Sequence, residues 1–174
     1  MIERTSMFDK LRRARSDLAM MNALLPIAEQ LARRDSIDEP GAEHLLLAAL
    51  GLDDGVARDS FESVGVDEGA LRDAIAGQHA DSLRSVGVIA DDNAIDAALP
   101  APAQPTGLYR AQGSLQAAFQ RAVGLARSDK SPLHSGHILL AVTDAERGTV
   151  ARSLEHLGVD RTHLREQALR LGGR

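Results

Sequence analysis

Cysteine and tryptophan are absent from this 174-residue chain, and its aromatic residues are one tyrosine and three phenylalanines. Without cysteine there is neither a disulfide nor a thiolate metal ligand, a composition suited to a reducing cytoplasm. With Tyr109, Phe8, Phe61 and Phe119 as the whole aromatic set, stacking on bases or sugars is not expected. No apolar run reaches the ~18 residues of a membrane-crossing helix, so no membrane partner is expected. The opening stretch MIERTSMFDKLRRARSDLAMM has no uninterrupted apolar core and no small-residue cleavage site, so it does not read as a secretory signal. A formal charge of −5 argues against nucleic acid, which demands a basic face to displace counterions. The one cationic cluster, Lys10, Arg12, Arg13 and Arg15, reads as a solvated helix face. Glycine is not arranged as G-x-x-x-x-G-K-[ST] anywhere, so the chain has no P-loop to cradle nucleotide phosphates, and no cofactor is expected.

Alanine and leucine, both strong helix formers, fill the space these absences leave. Apolar residues recur at helical spacing throughout, and no strand-type alternation competes. Residues 18–33 place Leu24, Leu25, Ile27, Ala28, Leu31 and Ala32 along one side, with Pro26 marking either a kink or a start near Leu25. A polar loop, DSIDEPG, leads to a helix from about Ala42 to Leu50, and a short helix then runs to about Val64. Asp67 is a good N-cap for a fourth helix through about Ile75. The order returns further on. A helix from about Ser114 to Arg127 turns Leu115, Ala118, Phe119, Ala122, Val123 and Ala126 inward, SDKSPLH leads into HILLAV, and Asp160 caps the last helix.

The return is a measurable repeat. At an offset of 93, residues 43–72 align with 136–165 without a gap, and twelve of the thirty positions are identical. They include His44/His137, Leu46/Leu139, Gly55/Gly148 and the whole Gly65-Val66-Asp67/Gly158-Val159-Asp160 turn. Chance similarity between two Ala/Leu-rich helices would not also align that turn. The expected fold is all-α, two pseudo-symmetric repeats of about four helices each. Residues 1–16 form an arm or helix, 17–76 the first repeat and 112–174 the second. Between them, 77–111 form a linker with short helices and a Pro-rich tract, PAPAQPTG.

A helix, then G-x-E-H-[LI]-L-L-x-x-L, a glycine turn and [LV]-G-V-D-x-x-x-L-R, all written twice, resembles the Clp N-terminal domain of ClpA- and ClpC-type unfoldases. The resemblance spans roughly residues 18–171. It implies a recognition module without the ATPase, and hence Clp ATPase, adaptor or client proteins as partners. In ClpC-like domains the motif glutamate is similar to a ligand for the guanidinium of phosphoarginine, one pocket per repeat. A carboxylate suits that group because it accepts the paired donors of a planar guanidinium. Here the first motif has Glu43 and the second has Gly136, while Leu18 and Gln112 stand where the family places threonines. Glu43 is therefore the one candidate ligand-binding residue. In its own helix it also sits in the first turn, where a carboxylate favours the helix dipole.

The other polar residues read as structural. His44 and His137 recur at a helix start, where a hydrogen-bonded ring is expected rather than a catalyst. His134 and His137 have no third metal ligand nearby in sequence, and no metal site is expected. His79, His156 and His163 read as surface residues. Asp53-Asp54 and Asp91-Asp92 read as turn formers. Ser131, Ser135 and His137 lack any nucleophile motif, so no enzyme is expected. The rival reading is a free-standing regulatory or scaffold protein that uses the fold for an unrelated partner or small-molecule ligand.

Overall fold

The computed structural model describes residues 3–85 and 111–173, and among these the chain is all-helical. Eight helices follow one another: α1 (Glu3–Arg34), α2 (Ala42–Leu50), α3 (Val56–Ser63), α4 (Glu68–Ser85), α5 (Gly113–Ser128), α6 (Ser135–Thr143), α7 (Thr149–His156) and α8 (Arg161–Gly172). The Pro-rich tract, Asp91-Asp92 and most of the segment joining the repeats lie outside the described residues. No described helix is long and apolar enough to cross a membrane.

Pro26 neither starts nor ends α1, and residues 3–16 are its first turns. A proline removes one N–H and crowds the preceding turn, but burial on both sides of it holds α1 together. Leu24, Leu25, Ala28, Leu31 and Ala32 are all buried, and α1 packs on α2. Ile27 departs from expectation: at 42% exposure it faces out. α4 also runs well past Ile75, to Ser85. Apolar periodicity fades there, but Gln78 accepts a hydrogen bond from Arg152 Nε of α7 at 3.0 Å, and tertiary contact sustains what local pattern does not.

The pseudo-symmetry governs packing. α1 lies on α2 as α5 lies on α6, and α2 meets α6 at the centre. α3 packs against α8 and α4 against α7, so each repeat seats its last two helices on the other. Neither repeat could bury its leucines alone. Eight of the nine α2 residues and all nine of α6 are buried, each large side chain contributing roughly 1.5–3 kcal/mol.

The repeated turns follow from helix-end chemistry. Gly65 (φ +78°) and Gly158 (φ +66°) are left-handed. Val66 N–H then reaches back to Phe61 C=O at 3.1 Å, and Val159 N–H to Leu154 C=O at 2.9 Å. This Schellman closure satisfies carbonyls that the helix end leaves open. The aspartate that follows starts the next helix: Asp67 accepts from Ala70 N–H at 2.8 Å and Asp160 from Thr162 N–H at 2.8 Å. α1 and α5 close in the same way with non-glycine residues at the left-handed position, Ser36 (φ +58°) and Lys130 (φ +57°).

Candidate ligand cleft beside the first repeat

The two histidines of the repeated motif do the same job. His44 Nδ1 accepts from Gly41 N–H at 2.9 Å and its Nε2 donates to Asp35 at 3.1 Å. His137 Nδ1 accepts from His134 N–H at 3.3 Å, with its Nε2 3.4 Å from Asp129. Each ring closes a capping box at the start of its helix, satisfying an otherwise orphaned backbone donor. Their burial, 0% and 2% exposed, is that of satisfied core groups.

The neighbouring positions differ reciprocally. In the first repeat Gly41 is the N-cap of α2, and the Glu43 carboxylate folds back over it: a Cβ on Gly41 would lie 2.5 Å from Glu43 Oε1. In the second repeat the N-cap is His134, whose Nδ1 accepts from Gly136 N–H at 3.1 Å. A Cβ on Gly136 would lie 2.9 Å from the His134 ring and 2.6 Å from Val56 Cγ1. Glycine and side chain have exchanged places across the two motifs. The exchange extends to the fourth helix of each repeat. His79 of α4 sits 3.5 Å from Glu43 Oε1; at the same offset stands Gly172 of α8, where a Cβ would lie 2.6 Å from the His134 ring. Thus Gly41, Glu43 and His79 in one repeat correspond to His134, Gly136 and Gly172 in the other.

Glu43 is consequently an engaged residue, 6% exposed. Its Oε1 also lies 3.4 Å from His44 Nδ1. Burial opposes ionisation of this carboxyl, but the hydrogen bond from His79, its own backbone N–H and the two imidazoles together hold its pKa below the usual 4.5. The His79 ring, 3.7 Å from Asp35 as well, lies between two carboxylates. Sequence reasoning placed His79 on the surface; its side chain is 17% exposed. The opposite electrostatics hold in the second repeat. The His134 and His137 rings lie 3.7 Å apart, and burial, with His137 adding to it at His134, depresses both pKa values despite Asp54 and Asp129 nearby.

Asp54 does more than form a turn. It accepts from Val56 N–H at 3.0 Å, and across the repeat boundary it accepts from both Ser135 N–H at 3.0 Å and Ser135 Oγ. Ser135 Oγ in turn accepts from Ala57 N–H at 2.9 Å. The starts of α3 and α6 are thereby joined through one carboxylate. The corresponding starts of α7 and α2 instead flank a cleft of about 410 Å³, lined by Glu43, Gln112, Ser114, Arg121, Arg147 and Thr149 among others. Gln112 is held there by its N–H on Pro40 C=O at 3.0 Å and its Nε2 on Glu39 C=O at 2.9 Å. Leu18, by contrast, is 53% exposed on α1 and is not among the cleft's lining residues. Among the described residues no cluster of histidines and carboxylates is arranged to hold a metal ion.

The all-helical, duplicated fold agrees with comparison to known proteins. Residues 19–98 match the sequence model of the Clp repeat (R) N-terminal domain. These residues carry a Clp repeat. The whole fold is similar to a solved Clp structure, the N-terminal domain of the caseinolytic-protease-associated chaperone ClpD from Arabidopsis thaliana. The TM-score is 0.57 at 19% identity, over 86% of this chain and 90% of that one. No curated protein sequence matches the chain. The Clp likeness at that identity concerns the fold: a double-repeat, all-helical N-domain.

Proposed function

We propose that this chain is a non-catalytic protein-binding module that docks segments of Clp clients or adaptors in the cleft between its repeats and so modulates Clp-dependent proteolysis. The observation that carries the reading is the cleft itself. It opens where α2 and α5 meet the start of α7, beside the buried carboxylate of the Clp motif, whereas the equivalent place in the other repeat is filled by His134 and Asp54. Such concave seams between helical units are where a partner's peptide docks. A guanidinium at Glu43, as in phosphoarginine, would have to take the place His79 holds. Its binding is tested by calorimetric titration of phosphoarginine into the wild type and Glu43→Gln. Heat in the first and none in the second supports the role, and no heat in either removes it. The wider reading is tested by capture from lysate on the immobilised full chain. Enrichment of Clp ATPase or protease subunits, lost in a variant that fills the cleft such as Ala117→Phe, supports it. The same unrelated partner recurring without Clp subunits would instead establish a scaffold or regulator, a reading favoured by Gly136 standing where the second motif would carry its glutamate.

A further inference from the structure

The apolar stripe of α1 outruns the core that it serves. From Met7 to Ala32, apolar residues recur at alternating steps of four and three, through Leu11, Ala14, Leu18, Met21, Leu25 and Ala28. That is the heptad spacing of a helix whose seam faces another helix. Leu25, Ala28 and Ala32 are buried in the molecule's own core, where α1 packs on α2. The middle of the stripe is not. Ala14 is exposed, Leu18 is 53% exposed and Met21 is half-buried. These three and Asp17 form one wall of a groove of about 420 Å³, and Phe119 and Val123 of α5 line the other. A contiguous apolar surface of this kind, on a stripe already patterned for a helix, marks an interaction site.

We propose that this groove is the seat of a homodimer, in which the α1 helices of two copies lie antiparallel and each enters the groove of the other. The residues flanking the stripe select both the second copy and the direction. In the heptad, Leu11 and Leu18 take the a positions and Met7, Ala14 and Met21 the d positions. Lys10 and Asp17 are then g positions, and Phe8 and Arg15 are e positions. Residues at e and g set partner and orientation, and antiparallel helices bring g against g and e against e. With Leu11 level with the partner's Ala14, and Met7 level with the partner's Leu18, Lys10 faces the partner's Asp17. Phe8 faces the partner's Arg15 in the same register, a cation beside a ring. Two-fold symmetry makes each of these contacts twice. Parallel helices would instead set Lys10 against the partner's Arg15, cation on cation. The antiparallel register also carries the partner's Met7 and the partner's Phe8 to the level of Leu18, where the groove lies.

The test is light scattering of the full chain at concentrations up to about 1 mM, where association as weak as a millimolar Kd is seen. The expected species is a dimer of twice the 18.5 kDa chain mass. Leu18→Asp should return the chain to monomer throughout that range. Its helical circular dichroism and melting temperature should stay unchanged, because Leu18 lies outside the buried core. Lys10→Asp sets like charge against the partner's Asp17 and should weaken the dimer several-fold; Lys10→Asp/Asp17→Lys should restore it. A wild type that stays monomeric would overturn the proposal, whatever other helix the groove captures. A dimer indifferent to Leu18→Asp would put the interface elsewhere and overturn it as well. A dimer strengthened by Lys10→Asp would mean parallel helices, and the antiparallel register would fall.

Discussion

The starts of α2 and α6 occupy equivalent places in the fold, share the motif His-aliphatic-Leu-Leu-Ala, and bury that motif equally. One nevertheless contains a charged cluster and the other a neutral one. In the first repeat an ionised Glu43 folds over Gly41 toward His79. In the second, the His134 imidazole fills the space that Gly136 and Gly172 leave free and lies tilted against the His137 ring. The helix start imposes one requirement, that orphaned N–H groups find acceptors, and two residue sets meet it. What duplication holds constant is the backbone and the capping histidine, while the side chain filling the seat is free to change once a glycine opens opposite it. The identical pair Arg72 and Arg165 diverges in the same way. Arg72 makes an exposed contact with Glu68 at 2.6 Å. Arg165 reaches Leu140 C=O at 2.7 Å and helps close the end of α6.

The comparison breaks hardest where a side chain is put back at the wrong glycine. Gly136→Glu, which restores the motif carboxylate to the second repeat, drives a Cβ into Val56 and His134 and should cost about 2–3 kcal/mol by overpacking, read as a lowered urea midpoint. Removing the carboxylate where it belongs costs less. Glu43→Ala leaves His79 with Asp35 alone and should lose about 1–2 kcal/mol, with a smaller loss when His79→Ala is already present. A third prediction concerns sameness: Asp67→Ala and Asp160→Ala remove equivalent caps and should each cost about 1 kcal/mol, equal within the error of chemical denaturation. The smallest effect separates the two clusters by pH. The folded pKa values of His134 and His137 lie below the imidazole value of 6.5, so the unfolded chain takes up protons first, and stability falls as pH drops below about 6.5. Glu43 acts lower. Its stabilising charge is fully present above 4.5 and is lost as pH falls through its depressed folded value. Thermal melts between pH 7 and about pH 3 should therefore show two separate declines, and His134→Asn should flatten the upper one.

The sequence makes the fold legible because the signals that define it are local and doubled. Gly65-Val66-Asp67 and Gly158-Val159-Asp160 state a helix end and the next helix start within three residues, and the Leu-Leu-Ala stripes give the buried faces. Ile27 was misread because a run of apolar residues around Pro26 covers more than one face of α1. The site was legible in half. Glu43 stands out as the one carboxylate of the motif, but its partner His79 comes from a polar stretch of α4 whose helicity depends on tertiary contact. Asp54 was indistinguishable from an ordinary turn residue because the groups it holds, around Ser135, lie in the other repeat. One signal was available: extending the 93-residue offset to residues 41 and 79 pairs glycine with side chain three times over, the mark of a compensated exchange.

That exchange is tested most directly by urea unfolding of three proteins: the wild type, Gly136→Glu, and the triple variant His134→Gly/Gly136→Glu/Gly172→His. The first repeat's set is then transplanted whole into the second. The triple variant should recover most of the stability that Gly136→Glu loses, a favourable coupling among side chains in contact. A triple variant no more stable than Gly136→Glu would contradict it, and the two helix starts would then differ for reasons unrelated to one another.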